Sequence, residues 1–262
     1  MSFGKAFHLI GALKTAVQIL PLLWRKAWPV LVLLFAVVAL SQMPFVGMWG
    51  KRLLILLAVL VEIAAAGALY RLALFGDRYA KSEGLGIGGL QFGKPEGRLL
   101  AAGLLVALFW LMVFVTAAVV LALFMGAAGL GDAEFSNSHG LFAALVEGPQ
   151  PQGVVLIVAL AAILLTLGIL AVKLWLHRAA TIAEHRVVSL NALTLSSGQT
   201  VKLFLGYAYI LLPLVVVTAV VPDIGIAGVL IELALGIGLF LPLSIAFLAT
   251  AYRQISALRA KG

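Results

Sequence analysis

Glu62 is the residue in this chain best placed to do chemistry. It is the single carboxylate inside an apolar, helix-length run, nine residues before Arg71. At 1.5 Å per residue it lies ~13 Å deeper along a helix than that arginine. Ala58, Ala65 and Ala66 share its helical face. An ionised carboxylate near mid-membrane is costly, so it is either neutral or partnered. Two readings follow. Glu62 is a proton or substrate site in a cavity, or it is a protonated acid bonded to a hydroxyl such as Thr116 or Thr166, holding helices together.

Glu232 is the second intramembrane acid. Gly228 and Gly236 flank it at four-residue steps, a stripe of small residues. Its position near the other end of its helix favours a salt bridge to Lys51 or Arg52. An entry or gating residue is the functional counterpart.

Other polar groups point to weaker chemistry. His177 and His185, with Glu184, are too far apart to read as a metal site, and there is no cysteine. His139 with Asp132 and Glu134 is no stronger. Gly84, Gly86 and Gly89 match the G-x-G-x-x-G pattern, but no βαβ unit surrounds them, so they read as a flexible loop. No nucleophile, base and orienting group can be assembled. The chain therefore reads as a non-enzyme with no metal and no cofactor.

The elements that position these residues follow from composition. The chain has 262 residues, 64% hydrophobic and 11% charged, with mean hydropathy +1.18. Soluble domains are about 45–50% apolar and about 25% charged. Several runs reach the ~20 residues that cross ~30 Å of hydrocarbon. The fold class is all-α: a polytopic membrane protein in one integral domain, residues 1–262. Six spans are expected near 28–49, 53–75, 99–125, 154–175, 201–221 and 224–252. Residues 3–26 read as an amphipathic helix lying on the membrane surface, kinked or ended by Pro21. Lys51-Arg52 makes a short turn. Lys94-Pro95-Glu96 starts the third span well, and Ser196 to Gln199 has capping-box spacing. A short surface helix is expected near 140–146.

Of 18 Lys and Arg, sixteen fall on one side of these spans and only Lys51 and Arg52 on the other. The positive-inside rule then places both termini in the cytoplasm. The net charge of +8 is topology bias, not a nucleic-acid signal. The basic face suits anionic headgroups, which makes membrane lipids the expected partners, with a homo-oligomer or a membrane protein partner as further options.

Three helix ends carry an aromatic or His followed by arginine: Tyr70-Arg71, His177-Arg178 and Tyr252-Arg253. They read as cytoplasmic anchors, or as the mark of three repeated hairpins. The run Ala192-Leu193-Thr194-Leu195 through Ser197-Gly198 to Lys202-Leu203-Phe204 resembles a motif of the bacterial glycerophosphoryl diester phosphodiesterase membrane domain. The six-span YciC-like proteins are its neighbours. Ala192-Leu193 stands for the family's Ser-Trp, and Ser197 for its arginine. The resemblance implies a lipid-related role in the bacterial inner membrane and no catalysis. The expected function is handling or transport of a lipid or amphiphilic solute, with a scaffold subunit of a membrane assembly as the alternative.

Overall fold

The computed structural model describes residues 7–82, 85–127, 152–220 and 225–260. Every regular element among them is helical. Six stretches are long and apolar enough to cross a membrane: Leu9–Ser41, Met48–Asp77, Lys94–Gly126, Ile157–Ala183, Thr200–Ala219 and Ile226–Arg259. The chain is an all-α polytopic membrane protein. Asp132, Glu134, His139, the expected helix at 140–146 and the Pro222-Asp223 turn lie outside the described residues.

Helix α1 (Leu9–Ser41) runs without a break through Pro21 and Pro29. The segment expected at the surface, 3–26, and the span expected at 28–49 thus share one continuous helix from Leu9 to Ser41. Ala12, Ala16, Leu20, Leu23, Ala27, Val30, Leu34 and Val37 are buried at three- and four-residue steps along its full length. Alanines in that stripe let neighbouring backbones approach closely. The bulkier face expected to lie on lipid keeps Ile10 and Val17 exposed. At 33 residues the helix is ~50 Å long, more than a bilayer core requires.

Helix α2 (Met48–Ser82) takes in Lys51 and Arg52, so the connection is 42–47, around Pro44, and not Lys51-Arg52. The helix is interrupted at Gly76, whose φ of 73° and ψ of 175° are not helical. Lys26 pairs with Asp77 at 3.0 Å just beyond that break. A 3-10 turn, Ile87–Gly89, follows. Gly88 and Gly89 have φ of 67° and 77°, and a Cβ on Gly88 would meet Pro29 Cγ at 2.5 Å. Gly88 and Gly89 thus make a tight turn packed on α1, while Gly84 lies outside the described residues.

Helix α3 (Lys94–Ala127) begins as its sequence predicts. Glu96 Oε2 accepts the Gly93 N–H at 2.9 Å, the reciprocal half of a capping box. Helix α4 (Gln152–Leu174) ends in a turn at 175–176, and a short α5 (His177–Ala183) follows and packs on α2. A single turn, α6 (Ala192–Leu195), leads into α7 (Thr200–Val220). The Ser196–Gln199 capping box does not form, because the Ser196 hydroxyl reaches the Lys173 carbonyl at 3.2 Å.

The last span is helix α8 (Ile226–Leu235), a π-turn (Gly236–Phe240) and helix α9 (Leu241–Arg259). Its cause is Pro242, which has no N–H to return to the carbonyl four residues earlier. That carbonyl, on Gly238, instead accepts the Trp24 indole N–H at 2.5 Å.

The chain forms two compact units. One holds Met1–Gly103 and Lys173–Gly262; α1 packs there on α2 and α9. The other is Leu104–Val172. Its helix surfaces remain largely exposed: only 6% of the apolar window in Lys94–Gly126 and 11% of that in Ile157–Ala183 are buried.

Candidate functional site

Glu62 sits at the centre of the Met48–Asp77 span, as expected, and it is partnered. Its partner is Arg178. Arg178 Nη1 donates to Glu62 Oε1 at 3.0 Å, with the two side chains 41% and 42% exposed. Arg178 is carried by α5, which follows the turn at 175–176 and buries Ala179, Ala180, Thr181 and Ile182. The Thr181 hydroxyl accepts the Val188 N–H at 3.2 Å and has the carbonyls of His177 and Val188 within bonding distance. That closes the loop behind Arg178. Arg178, expected as a cytoplasmic anchor, is thus half-exposed and paired with Glu62.

A groove of about 410 Å³ opens beside the pair. Leu34, Val38 and Ser41 of α1 line it with Ala58 and Glu62 of α2 and Phe240 of the π-turn. The Ser41 hydroxyl donates to the Val38 carbonyl at 2.7 Å, so it is engaged within its own helix. The groove is thus mostly apolar, with the Glu62 carboxylate and the Gln42 amide as the further polar groups in its wall. An unpartnered carboxylate there would be costly, and Arg178 offsets that cost. Each partner uses one atom in the described contact, so guanidinium donors and one carboxylate oxygen remain for a bound molecule. Phe240 leads from the groove to Tyr207 and on to Trp175, with ring centroids 5.7 Å and 4.0 Å apart.

The other expected site residues fall elsewhere. Thr116 and Thr166 belong to the Leu104–Val172 unit. Their hydroxyls donate to the Met112 and Ala162 carbonyls of their own helices, at 2.9 Å and 2.8 Å. Both line an apolar cavity of about 570 Å³ within the Leu104–Val172 unit. Glu232 is exposed on α8 and makes no ion pair with Lys51 or Arg52 among the described contacts. The Arg52 guanidinium lies 4.9 Å from the Trp49 ring centre and 3.9 Å from Met48 Sδ.

Arg71 is also corrected from surface anchor to buried partner. It is 1% exposed and pairs with the fully buried Glu96, and its Nε donates to the Gly67 carbonyl at 3.0 Å. Gly67 makes room for this: a Cβ there would meet Glu96 Oε1 at 2.6 Å. Arg253 alone of the three remains exposed, while its neighbour Tyr252 donates to Glu184 Oε1 at 3.1 Å. The three aromatic–arginine marks thus enter three different environments. His177 and His185 are separated as well. His177 Nδ1 bonds the Leu174 carbonyl at 2.7 Å, and His185 stacks on Phe75.

Two of these contacts had a signal in the sequence. Glu96 at the third position of a proline-started helix marks a capping carboxylate, and Pro242 marks a freed carbonyl at Gly238. The break before α5 had none, since no glycine or proline lies between Gly168 and Gly198. In comparisons with family models, curated proteins and solved structures, the chain matches none.

Proposed function

We propose that this is a non-enzymatic integral membrane protein that handles or transports a lipid or other amphiphilic solute. The observation that carries the reading is the half-exposed Glu62–Arg178 pair beside an apolar groove. An amphiphile has the matching chemistry: its tail suits the apolar wall, and its charged head exchanges with one member of the pair. The lipid class is taken from the resemblance of residues 192–204 to the glycerophosphoryl diester phosphodiesterase membrane domain. A bacterial inner membrane location with both termini cytoplasmic belongs to the same proposal and rests on the lysine and arginine distribution.

Reconstitution into vesicles tests it. Flux of fluorescent phospholipid analogues across the bilayer is expected with the wild type. Glu62→Gln and Arg178→Gln are each expected to lower it about tenfold. Wild-type flux in both variants would remove the pair from the mechanism.

A scaffold subunit of a membrane assembly is the second reading. The exposed α3 and α4 surfaces of the Leu104–Val172 unit favour it, because helices with so little self-packing suit a partner helix. A second protein that purifies stoichiometrically with the chain, without lipid flux, would select it.

A further inference from the structure

A second groove, of about 640 Å³, lies between the first half of α1 and α7. That size is ordinary for a small-molecule site (about 300–1,000 Å³). Ile10, Leu13, Val17, Leu205 and Pro213 make its apolar wall, and Lys14 and Tyr209 its polar part. The two polar residues line one groove from adjacent helices. Helices α1 and α7 start side by side: Lys202 Nζ donates to the Phe7 carbonyl at 3.2 Å, and Gly206 abuts Leu9. Lys14 lies within the second turn of α1, and Tyr209 within the third turn of α7.

Lys14 and Tyr209 are both exposed, Tyr209 to 67%. Neither makes a side-chain hydrogen bond or ion pair among the described contacts. The described carboxylates lie elsewhere. Asp77 is with Lys26, Glu96 with Arg71, Glu62 with Arg178, and Glu184 with Arg186. Glu232 is on α8. The groove therefore offers an ammonium and a phenol in its wall, with no described carboxylate to neutralise them. An apolar trough continues past Val17 and Pro213. A molecule that complements this has an anionic phosphate and an acyl chain.

We infer that the α1–α7 groove is a seat for an anionic phospholipid, distinct from the groove at Glu62. The phosphate takes the Lys14 ammonium and the Tyr209 hydroxyl, and an acyl chain follows Val17 and Pro213. The site neither needs nor implies transport, so it stands or falls separately from the reading of Glu62.

The test is native mass spectrometry of the purified protein in detergent, titrated with dilauroyl phosphatidylglycerol. Retention of phosphatidylglycerol over phosphatidylcholine is expected, and glycerol phosphate alone is expected not to bind. Lys14→Gln is expected to weaken retention about fivefold, the order of one basic residue near an anionic surface. Lys14→Arg is expected to keep it, which also shows that position 14 tolerates change without unfolding. Arg253→Gln, an exposed charge on α9, is expected to leave retention unchanged. Three results would overturn the assignment: equal loss in Arg253→Gln, equal binding of glycerol phosphate, or no preference for phosphatidylglycerol.

Discussion

Arg178 Nη1 donates to Glu62 Oε1 at 3.0 Å across 116 positions of sequence. The contact joins a short helix after a break in one span to the centre of another. Long arginines near a helix end usually extend toward the interface. Here the side chain instead meets a specific acceptor, Glu62. If the pair is the polar element of the groove, its members act together. Glu62→Gln and Arg178→Gln are each expected to destabilise the protein, and the double variant by less than the sum. The pair is about two-fifths exposed, so the coupling should be about 1 kcal/mol. A double-mutant cycle on thermal unfolding in detergent measures it, and strict additivity would mean the contact contributes nothing.

The buried pair behaves differently. Arg71 and Glu96 are both enclosed, and each side chain also bonds backbone: Arg71 to Gly67 and Glu96 to Gly93. Removing one partner leaves a buried charge without compensation, at a cost of about 3–5 kcal/mol. Arg71→Ala and Glu96→Ala are each expected to lose that much in denaturant titration. Arg71→Leu combined with Glu96→Leu should lose less than either alanine variant. Gly67→Ala should resemble Glu96→Ala, because the added methyl occupies the carboxylate's place.

How much of this was legible follows from what creates each feature. The spans were legible because hydrocarbon thickness sets run length, and apolar composition reports it directly. Glu62 was legible because an acid in such a run stands alone. Its partner was not. Arg178 sits in a helix end that looks like those of Arg71 and Arg253, and only tertiary placement separates the three. The continuity of α1 was missed for a related reason. Pro21 predicts a kink or an end, and a long buried stripe of alanine and leucine outweighs one lost backbone bond, so the helix does not end there. The same stripe explains why the surface-lying segment is packed against protein.

The π-turn before Pro242 gives a prediction of its own. The Gly238 carbonyl is held by the Trp24 indole. Trp24→Phe removes that donor and leaves the carbonyl unpaired, at about 1–3 kcal/mol. Pro242→Ala restores a backbone N–H that can return to the carbonyl. The cost of Trp24→Phe is therefore expected to shrink when measured in a Pro242→Ala background. An undiminished cost in urea or detergent unfolding would show that the indole acts through packing alone.

Two glycines should respond in opposite directions. Gly88 has a φ of 67° and Pro29 within 2.5 Å of a would-be Cβ, so Gly88→Ala meets both backbone strain and a clash. A loss of more than about 1 kcal/mol is expected. Gly103 lies inside α3, and nothing within 4 Å would touch a Cβ there. Gly103→Ala is expected to be neutral or to stabilise by up to about 1 kcal/mol, because alanine loses less backbone freedom on forming a helix. Thermal midpoints of the two variants, compared with wild type, decide it.

Orientation is open to a direct test because the chain contains no cysteine. A single introduced thiol reports one side of the membrane without background. Phe45 is 77% exposed in the connection between α1 and α2, the segment next to Lys51 and Arg52. Ser197 is exposed beside α6, on the side that carries most of the basic residues. With the basic side cytoplasmic, a membrane-impermeant maleimide should label Phe45→Cys on intact cells. It should reach Ser197→Cys only after lysis. The reverse pattern would invert the topology, and it would place the Lys14 groove at the outer face, where the anionic-lipid preference would have to be read against a different leaflet.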